Sequence, residues 1–257
     1  MHASGDQPLR GKRVLITRAG EQSESFASAL RAHGAQPVVA PTIEIRPLDD
    51  LSALDEAIDL LSRFSWVVFT SQNGVDVFMP HLKQHRANLD TVNVAAIGPQ
   101  TAGRLRDLGA AVALTAEQYV SEALARELVA RIAPGECVLV VRALEGRDVL
   151  ATMLEDAGAS VTAVPAYRTL TAHDPAFAGK VGVVDIVTFT SASTVRGFST
   201  LLHGQTVEAV RGKCVACIGP VTAEAARQTG LHVDVVATQH TASGLLEALE
   251  AHYGATV

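Results

Sequence analysis

Small hydroxyl and guanidinium side chains follow several short apolar runs of this 257-residue sequence. They are Thr17-Arg18, Thr70-Ser71, Arg142 and Thr190-Ser191. Hydroxyls donate and accept hydrogen bonds, and a guanidinium group binds a carboxylate through two parallel N–H donors. These residue types predict a site that holds a polyanion and donates protons, with little capacity for nucleophilic catalysis. At any single position, helix capping explains a Ser or Thr as well, and that alternative stays open.

A nonapeptide occurs twice, as "VAAIGPQTA" over Val94–Ala102 and as "VACIGPVTA" over Val215–Ala223. In each copy the glycine ends a predicted strand, and the proline suits the first position of a helix because its missing N–H is not needed there. Thr101 and Thr222 then fall in the first helical turn, beside free backbone amides that favour an anion.

The repeat extends along the chain, which indicates a duplicated unit. "GKRVLITRA" at Gly11 matches "GECVLVVRA" at Gly135, and "WVVFTSQNGV" at Trp66 matches "IVTFTSASTV" at Ile186. The "QNG" at Gln72 is typical of a hairpin turn. Its partner in the second copy is "AST", so a helix start fits both copies better.

Alternating strand and helix patterns position these residues. The β-branched runs "RVLIT", "WVVFT" and "VAAIG" predict buried parallel strands. Between them, "ESFASALRAHG" and "TAGRLRDLG" predict helices that end at Gly34 and Gly109. The alternation predicts an α/β protein with two doubly wound parallel-sheet units, in which ligands bind beyond the carboxyl ends of the strands.

The composition excludes several classes of protein. A net charge of −6 has the wrong sign for a general nucleic-acid binder. With 48% hydrophobic and 19% charged residues, the chain can fill a core and is not disordered. No stretch is long enough to span a membrane, and the polar segment Met1–Arg10 lacks an apolar signal core, so we expect a cytoplasmic protein. Glycine-rich nucleotide-binding motifs are missing.

The cysteine and histidine pairs predict no metal site. Cys214 and Cys217 are three residues apart in a strand-like run, so they face opposite sides and are interpreted as buried thiols. His81 and His85 lie four residues apart near a predicted helix end. No carboxylate motif accompanies them, which favours a solvated pair over a zinc site.

Six motifs carry a resemblance to a known family. They are "FTSQNGV" at Phe69, "AIGPQTA" at Ala96, "PAYRT" at Pro165, "FTSAST" at Phe189, "CIGPVTAEAARQTG" at Cys217 and "ATQHTASGLLEAL" at Ala237. In this order and spacing the chain resembles the uroporphyrinogen-III synthases over nearly its whole length. The resemblance implies cyclisation of hydroxymethylbilane to uroporphyrinogen III without a cofactor, with inversion of the last pyrrole ring and loss of water.

The same resemblance implies interleaved lobes. One lobe would comprise about Met1–Pro41 and His173–Val257, and the other about Ile43–Leu170. Two connectors, at about residues 39–47 and 163–171, would join them. The residues alone would equally allow two contiguous halves.

The resemblance also assigns roles to residues. Tyr167, within "PAYRT", is the expected catalytic acid, and the alternative of a half-buried strand aromatic stays open. The expected substrate-binding residues are Arg18, Ser71, Thr101, Arg142, Ser191 and Thr222. We expect a monomer that binds a linear tetrapyrrole and makes transient contact with the preceding deaminase, with no metal, nucleic-acid or membrane partner.

Two other functions remain open from the sequence. A non-enzymatic binding protein, similar to two-lobed periplasmic receptors, would explain the duplication. A regulatory homologue that senses a tetrapyrrole or a small anion without turnover would share the same motifs.

Overall fold

The computed structural model describes residues 7–18, 20–116, 121–146 and 148–255, with the side chains of residues 21 and 22 left out. Most of the polar segment Met1–Arg10 lies outside the described residues. Contacts divide the chain into two compact units, called here unit 1 (Met1–Glu44 with Leu170–Val257) and unit 2 (Ile45–Thr169). The lobe and connector limits expected from the resemblance stay a prediction.

Unit 1 is built on a parallel sheet of five strands in the order β11-β10-β9-β1-β2. Its elements are β1 Arg13–Ile16, α1 Glu21–Ala32, β2 Gln36–Val39, α7 Phe177–Gly182, β9 Ile186–Phe189, α8 Ala192–Leu201, α9 Thr206–Ala209, β10 Cys214–Cys217, α10 Pro220–Gln228, β11 Val235–Val236 and α11 Ala242–Gly254.

Unit 2 is built on a sheet in the order β3-β8-β7-β4-β5-β6, in which the strands from β8 to β6 run parallel. Its elements are β3 Ile43–Pro47, which begins in unit 1, α2 Ser52–Asp59, a 3₁₀ turn Leu61–Arg63, β4 Trp66–Phe69, α3 Gln72–Gln84, β5 Asn93–Ile97, α4 Gly98–Asp107, β6 Leu114–Ala116, α5 Ser121–Val129, β7 Cys137–Ala143, α6 Val149–Asp156 and β8 Ser160–Thr171, which ends in unit 1. The predicted α/β class with parallel sheets is confirmed.

Each sheet is covered by helices on both faces, because both faces of its strands are apolar. In β4, Val67 and Phe69 pack in one cluster with α2, α3 and α4, whereas Trp66 and Val68 pack in another with α5 and α6. Such runs are typical of parallel strands buried on both sides. Cys214 and Cys217 likewise lie in the two opposite clusters of unit 1, buried and free, as predicted.

Helix starts and ends follow the predicted signals. Gly34 and Gly109 adopt φ values of 79° and 88° just after α1 and α4, where a side chain would be strained. Pro99 and Pro220 stand in the first turn of α4 and α10. The "QNG" opens α3, so the helix interpretation is confirmed and the hairpin interpretation is wrong.

One feature differs from expectation. His81 and His85 are not simply solvated, since their rings bond to Asp55 and Asp59 of α2 at 2.7 Å. Those carboxylates are 26 residues away in sequence, so no local motif predicts these contacts. Residues 163–171, expected as one strand of the two-stranded connector, form the end of strand β8, which pairs with β7 as far as Tyr167. Among the described helices, none is long and apolar enough to cross a membrane.

Candidate functional site

Four of the predicted site residues lie at the carboxyl edge of the unit 2 sheet. Tyr167 is on β8, Arg142 near the end of β7, Ser71 two residues after β4, and Thr101 in the first turn after β5. These four strands are consecutive neighbours in the sheet. Because the carboxyl ends of parallel strands meet at one edge, residues that are far apart in sequence share one side of the unit.

Ser71 is the N-cap of α3. Its backbone is extended, and its Oγ accepts a hydrogen bond of 3.2 Å from the N–H of Gly74. The same oxygen lies 2.7 Å from the phenol oxygen of Tyr167. The cap therefore joins the positive end of a helix to a phenol through one shared hydroxyl.

The Tyr167 ring is buried, with 5% of the residue exposed, in the apolar cluster formed by β4, β7 and helices α2 to α4. A register shift between Arg142 and Ala143 of β7 brings Tyr167 opposite Ala143. Burial raises the pKa of the Tyr167 phenol, while hydrogen bonds from Ser71 and Asn73 pull it down. The raised pKa keeps the phenol protonated at neutral pH, so it holds a proton that it can donate.

Arg142 is held by its own loop. One nitrogen donates to the carbonyl of Gly146 at 2.8 Å, and another lies 2.9 Å from a carboxylate oxygen of Asp148. Its Nε is buried without a hydrogen-bond partner, which is a costly state for a charged donor. The guanidinium is therefore fixed in place, and one of its hydrogen-bond donors has no partner.

The other three predicted residues lie at the carboxyl edge of the unit 1 sheet. Arg18 follows β1, Ser191 follows β9, and Thr222 stands in the first turn of α10 after β10. Arg18 is half-buried, and that burial lowers its pKa. Thr222 is buried like Thr101, with 5% and 4% of each residue exposed. The seven residues therefore form two groups, one on each unit.

Ser191 caps α8 with nearly the same backbone angles as Ser71, but in a closed arrangement. Its Oγ accepts from the N–H of Thr194, and the Thr194 hydroxyl accepts from the Ser191 N–H in return. Thr42 adds a hydroxyl bond of 2.8 Å to the Thr194 carbonyl. Helix capping, which the sequence left open as the structural alternative, is what the Ser191 side chain does here.

Two polar residues near these caps escaped sequence reasoning. Asn73, the middle residue of the "QNG" motif, bonds to the Tyr167 phenol. Thr42 is fully buried and bonds to the carbonyls of Thr17 and Thr194. The repeat could have pointed to Asn73, since its counterpart is Ser193, another hydrogen-bonding residue that stands two positions after its cap.

The described residues contain no group of three or more His, Cys, Asp or Glu side chains placed to hold a metal ion. The described donors are hydroxyls, amides, guanidinium groups and one phenol. Unit 2 can donate a proton from a phenol whose oxygen is supported by a capped helix. In both units, helix N-termini and arginine side chains can bind carboxylates.

The chain matches known proteins over nearly all of its length. A family profile described as uroporphyrinogen-III synthase HemD matches residues 24–247. The uroporphyrinogen-III synthase of Synechococcus elongatus is 32% identical over 256 residues, covering 95% of this chain and 97% of the relative. That of Chlorobaculum parvum is 30% identical, covering 88% and 92%.

Solved structures share the fold. A mutant uroporphyrinogen III synthase from Thermus thermophilus aligns with a TM-score of 0.66 at 17% identity, covering 95% of this chain and 100% of that one. The Helicobacter pylori enzyme aligns with a TM-score of 0.57 at 20% identity, covering 92% and 97%. The sequence matches go beyond the fold, and by them the chain belongs to the uroporphyrinogen-III synthase family.

Proposed function

We propose that this chain closes hydroxymethylbilane to uroporphyrinogen III, with inversion of the last pyrrole ring and loss of water. The family profile and relatives that cover the chain end to end support this reaction. As a member of that family, the protein is a cyclising lyase of porphyrin biosynthesis. The non-catalytic binding and regulatory alternatives gain no support from these matches.

The observation that carries a mechanism is the hydrogen-bond chain at the start of α3. The Gly74 N–H donates to Ser71 Oγ, and Ser71 can in turn donate to the Tyr167 phenol oxygen. In that arrangement the phenol oxygen accepts from Ser71 and keeps its own proton for transfer to a substrate. In this arrangement Tyr167 is the catalytic acid, and Ser71 and Asn73 stabilise the negative charge that grows on its oxygen.

The reaction begins when the C–O bond to the terminal hydroxyl breaks. Electron density from the adjacent pyrrole nitrogen expels the hydroxyl, Tyr167 supplies the proton, and water leaves. The azafulvene that remains is attacked by the substituted carbon of the last ring, which gives a spiro intermediate. Opening of that intermediate and closure at the other carbon invert the ring, and the ring proton released at the end restores the phenol.

The remaining site residues hold the carboxylates of the substrate in this proposal. Arg142 would exchange the Asp148 carboxylate, which is largely exposed, for one of the substrate. Arg18 would bind another on unit 1, and Thr101, Ser191 and Thr222 mark helix starts that favour anions. Because the substrate ionises readily by itself, folding it so that the wrong closure is avoided is the larger task of the protein.

The setting of the reaction is part of the proposal. The three cysteines are free thiols, which suits the reducing cytoplasm. We place the protein there as a monomer that takes its unstable substrate from the deaminase that precedes it.

The direct test is a coupled assay in which the deaminase supplies hydroxymethylbilane. Without a further protein the bilane should close to the type I isomer. Addition of this chain should convert the product to the type III isomer. An unchanged isomer ratio at saturating protein would refute the enzymatic function and leave binding without turnover.

A further inference from the structure

A cleft of about 1040 Å³ opens in unit 2 where helices α3 and α4 end. This volume is at the upper end of the range that small-molecule sites occupy. The helix ends lie at the amino end of strand β5, away from the carboxyl edge that carries Ser71 and Tyr167. The cleft is therefore separate from the Tyr167 site, and a ligand bound in it would not depend on the proposed function.

Apolar side chains line the cleft. Met79 and Pro80 come from α3, Leu89 and Val92 from the segment before β5, and Leu108 from the end of α4. Leu108 keeps 40% of its surface exposed. The lining is thus suited to an apolar ligand body rather than to bulk water.

The duplicated unit shows that this position can be covered. In unit 1 the chain between α8 and β10 forms α9, and the Thr206 hydroxyl donates to the carbonyl of Thr229 at the end of α10. Thr229 is the repeat counterpart of Leu108. In unit 2 the matching segment, residues 85–92, forms no helix or strand, and the cleft remains open there.

Charged groups at the cleft favour an anion. Arg104 is matched by Asp76, whose carboxylate oxygen lies 2.6 Å from its Nε. Lys83 and Arg86 are exposed and have no ion pair within the described part of the chain, and the lining holds one further carboxylate, Asp90. Two cations against one carboxylate leave a positive balance on a chain of net charge −6.

Backbone carbonyls at the two helix ends are already hydrogen-bonded. A helix C-terminus carries partial negative charge on its free carbonyls. Here the N–H of Ala87 bonds to the Leu82 carbonyl, and the N–H of Ala110 bonds to the Leu105 carbonyl, so each terminus is closed by its own chain. We propose that the cleft binds an amphipathic monocarboxylate, with its aromatic or branched body on Met79 and Leu108 and its carboxylate at Lys83 and Arg86.

The test uses 2-naphthoate as the probe and 2-naphthamide as its neutral isostere, added to the full chain labelled with ¹³C in the methionine methyl groups. The sequence has three methionines, so the spectrum is simple. Met79 lines the cleft, and Met153 packs on the opposite face of the same sheet. We expect the Met79 signal to shift and saturate with naphthoate while the Met153 signal stays still, and the amide to bind at least fivefold more weakly.

Two variants check the assignment. The double change Lys83→Gln with Arg86→Gln should weaken naphthoate binding about five- to tenfold, whereas Arg106→Gln, on the exposed face of α4 outside the cleft, should leave it unchanged. Ala111→Trp should fill the cleft and abolish the Met79 shift. Three results would each overturn the proposal: a Met79 signal that does not shift, equal affinity for the acid and the amide, or an equal shift of the Met153 signal. These comparisons on the unaltered chain decide it even if a variant fails to fold.

Discussion

The two helix caps at Ser71 and Ser191 occupy the same place in two copies of one unit, yet they differ in what they can do. Both serines have φ near −162° and ψ near 161°, and both accept a hydrogen bond from the third residue of their helix. At Ser191 that residue is Thr194, whose hydroxyl accepts a hydrogen bond from the Ser191 N–H and so completes a capping box. At Ser71 it is Gly74, which offers no side chain, and the cap hydroxyl bonds to Tyr167 instead.

The difference extends to the strand that lies against each helix. Tyr167 in unit 2 corresponds by the repeat to Ile43 in unit 1, which lies beside Gly197 of α8 and has no hydrogen-bonding group in its side chain. The two copies thus share the capping geometry, but unit 2 has a phenol bonded to the cap hydroxyl and unit 1 has a closed structural cap. A hydroxyl at a helix start is a catalytic candidate where it also bonds to a group outside the helix that can transfer a proton.

The largest expected effect comes from removing the phenol hydroxyl. Tyr167→Phe should lower kcat about 10²-fold, the low end for a positioned general acid, because the substrate ionises readily alone. The lost bond to Ser71 should lower the free energy of unfolding by about 1 kcal/mol. Initial rates in the coupled assay and thermal melting measure the two effects.

Tyr253→Phe is the matched control for that change. Tyr253 also bonds through its hydroxyl, to Cys214, but it lies in α11 of unit 1. We expect wild-type kcat for this variant. Wild-type kcat for Tyr167→Phe, with the type III isomer still formed, would assign proton donation to another group.

One helical glycine in each unit allows the packing of the two units to be compared by substitution with alanine. Gly197 lies inside α8, and a Cβ there would overlap the carbonyl oxygen of Thr42, so Gly197→Ala should cost about 1–3 kcal/mol. Gly103 lies inside α4 with open space around it, so Gly103→Ala should stabilise by about 0.5–1 kcal/mol through helix propensity. Denaturant unfolding of both variants checks the signs. Equal effects would mean that α8 does not lie against Thr42.

The smallest expected effect is the pH-dependent loss of stability when His85 of unit 2 is replaced. The pKa of His85 is raised, first by its bond to Asp59 and then by the nearby charges of Asp59 and Asp55. A raised folded-state pKa gives stability that is complete below the ordinary value of about 6.5 and is lost as pH rises through the folded-state value. His85→Gln should therefore lower Tm most at acidic pH, with the deficit shrinking above neutrality. A deficit that stays constant with pH would contradict this.

Much of this molecule could be predicted from its sequence because its signals are local or repeated. The glycines at the ends of α1 and α4, the prolines that open α4 and α10, and the opposed faces of Cys214 and Cys217 each follow from short-range geometry. The grouping of Ser71, Thr101 and Arg142 at one sheet edge follows from strand order in a parallel sheet.

Long-range contacts explain what sequence reasoning missed. Asp55 and Asp59 reach His81 and His85 from another helix, and no spacing rule connects them. The same holds for the bond between Ser71 and Tyr167, which joins residues 96 positions apart. The family resemblance predicts roles for Ser71 and Tyr167. Packing shows that the Ser71 hydroxyl bonds to the phenol, whereas the Ser191 hydroxyl caps its own helix.

The most direct test of this asymmetry is the kcat of Ser71→Ala compared with that of Ser191→Ala in one coupled assay. Both changes remove an N-cap hydroxyl and should cost a similar stability, about 1 kcal/mol. We expect Ser71→Ala to lose about tenfold in kcat, the cost of one hydrogen bond to the developing phenolate, and Ser191→Ala to stay within about twofold of wild type. Equal losses in the two variants, or a larger loss for Ser191→Ala, would contradict the assignment of the chemistry to unit 2.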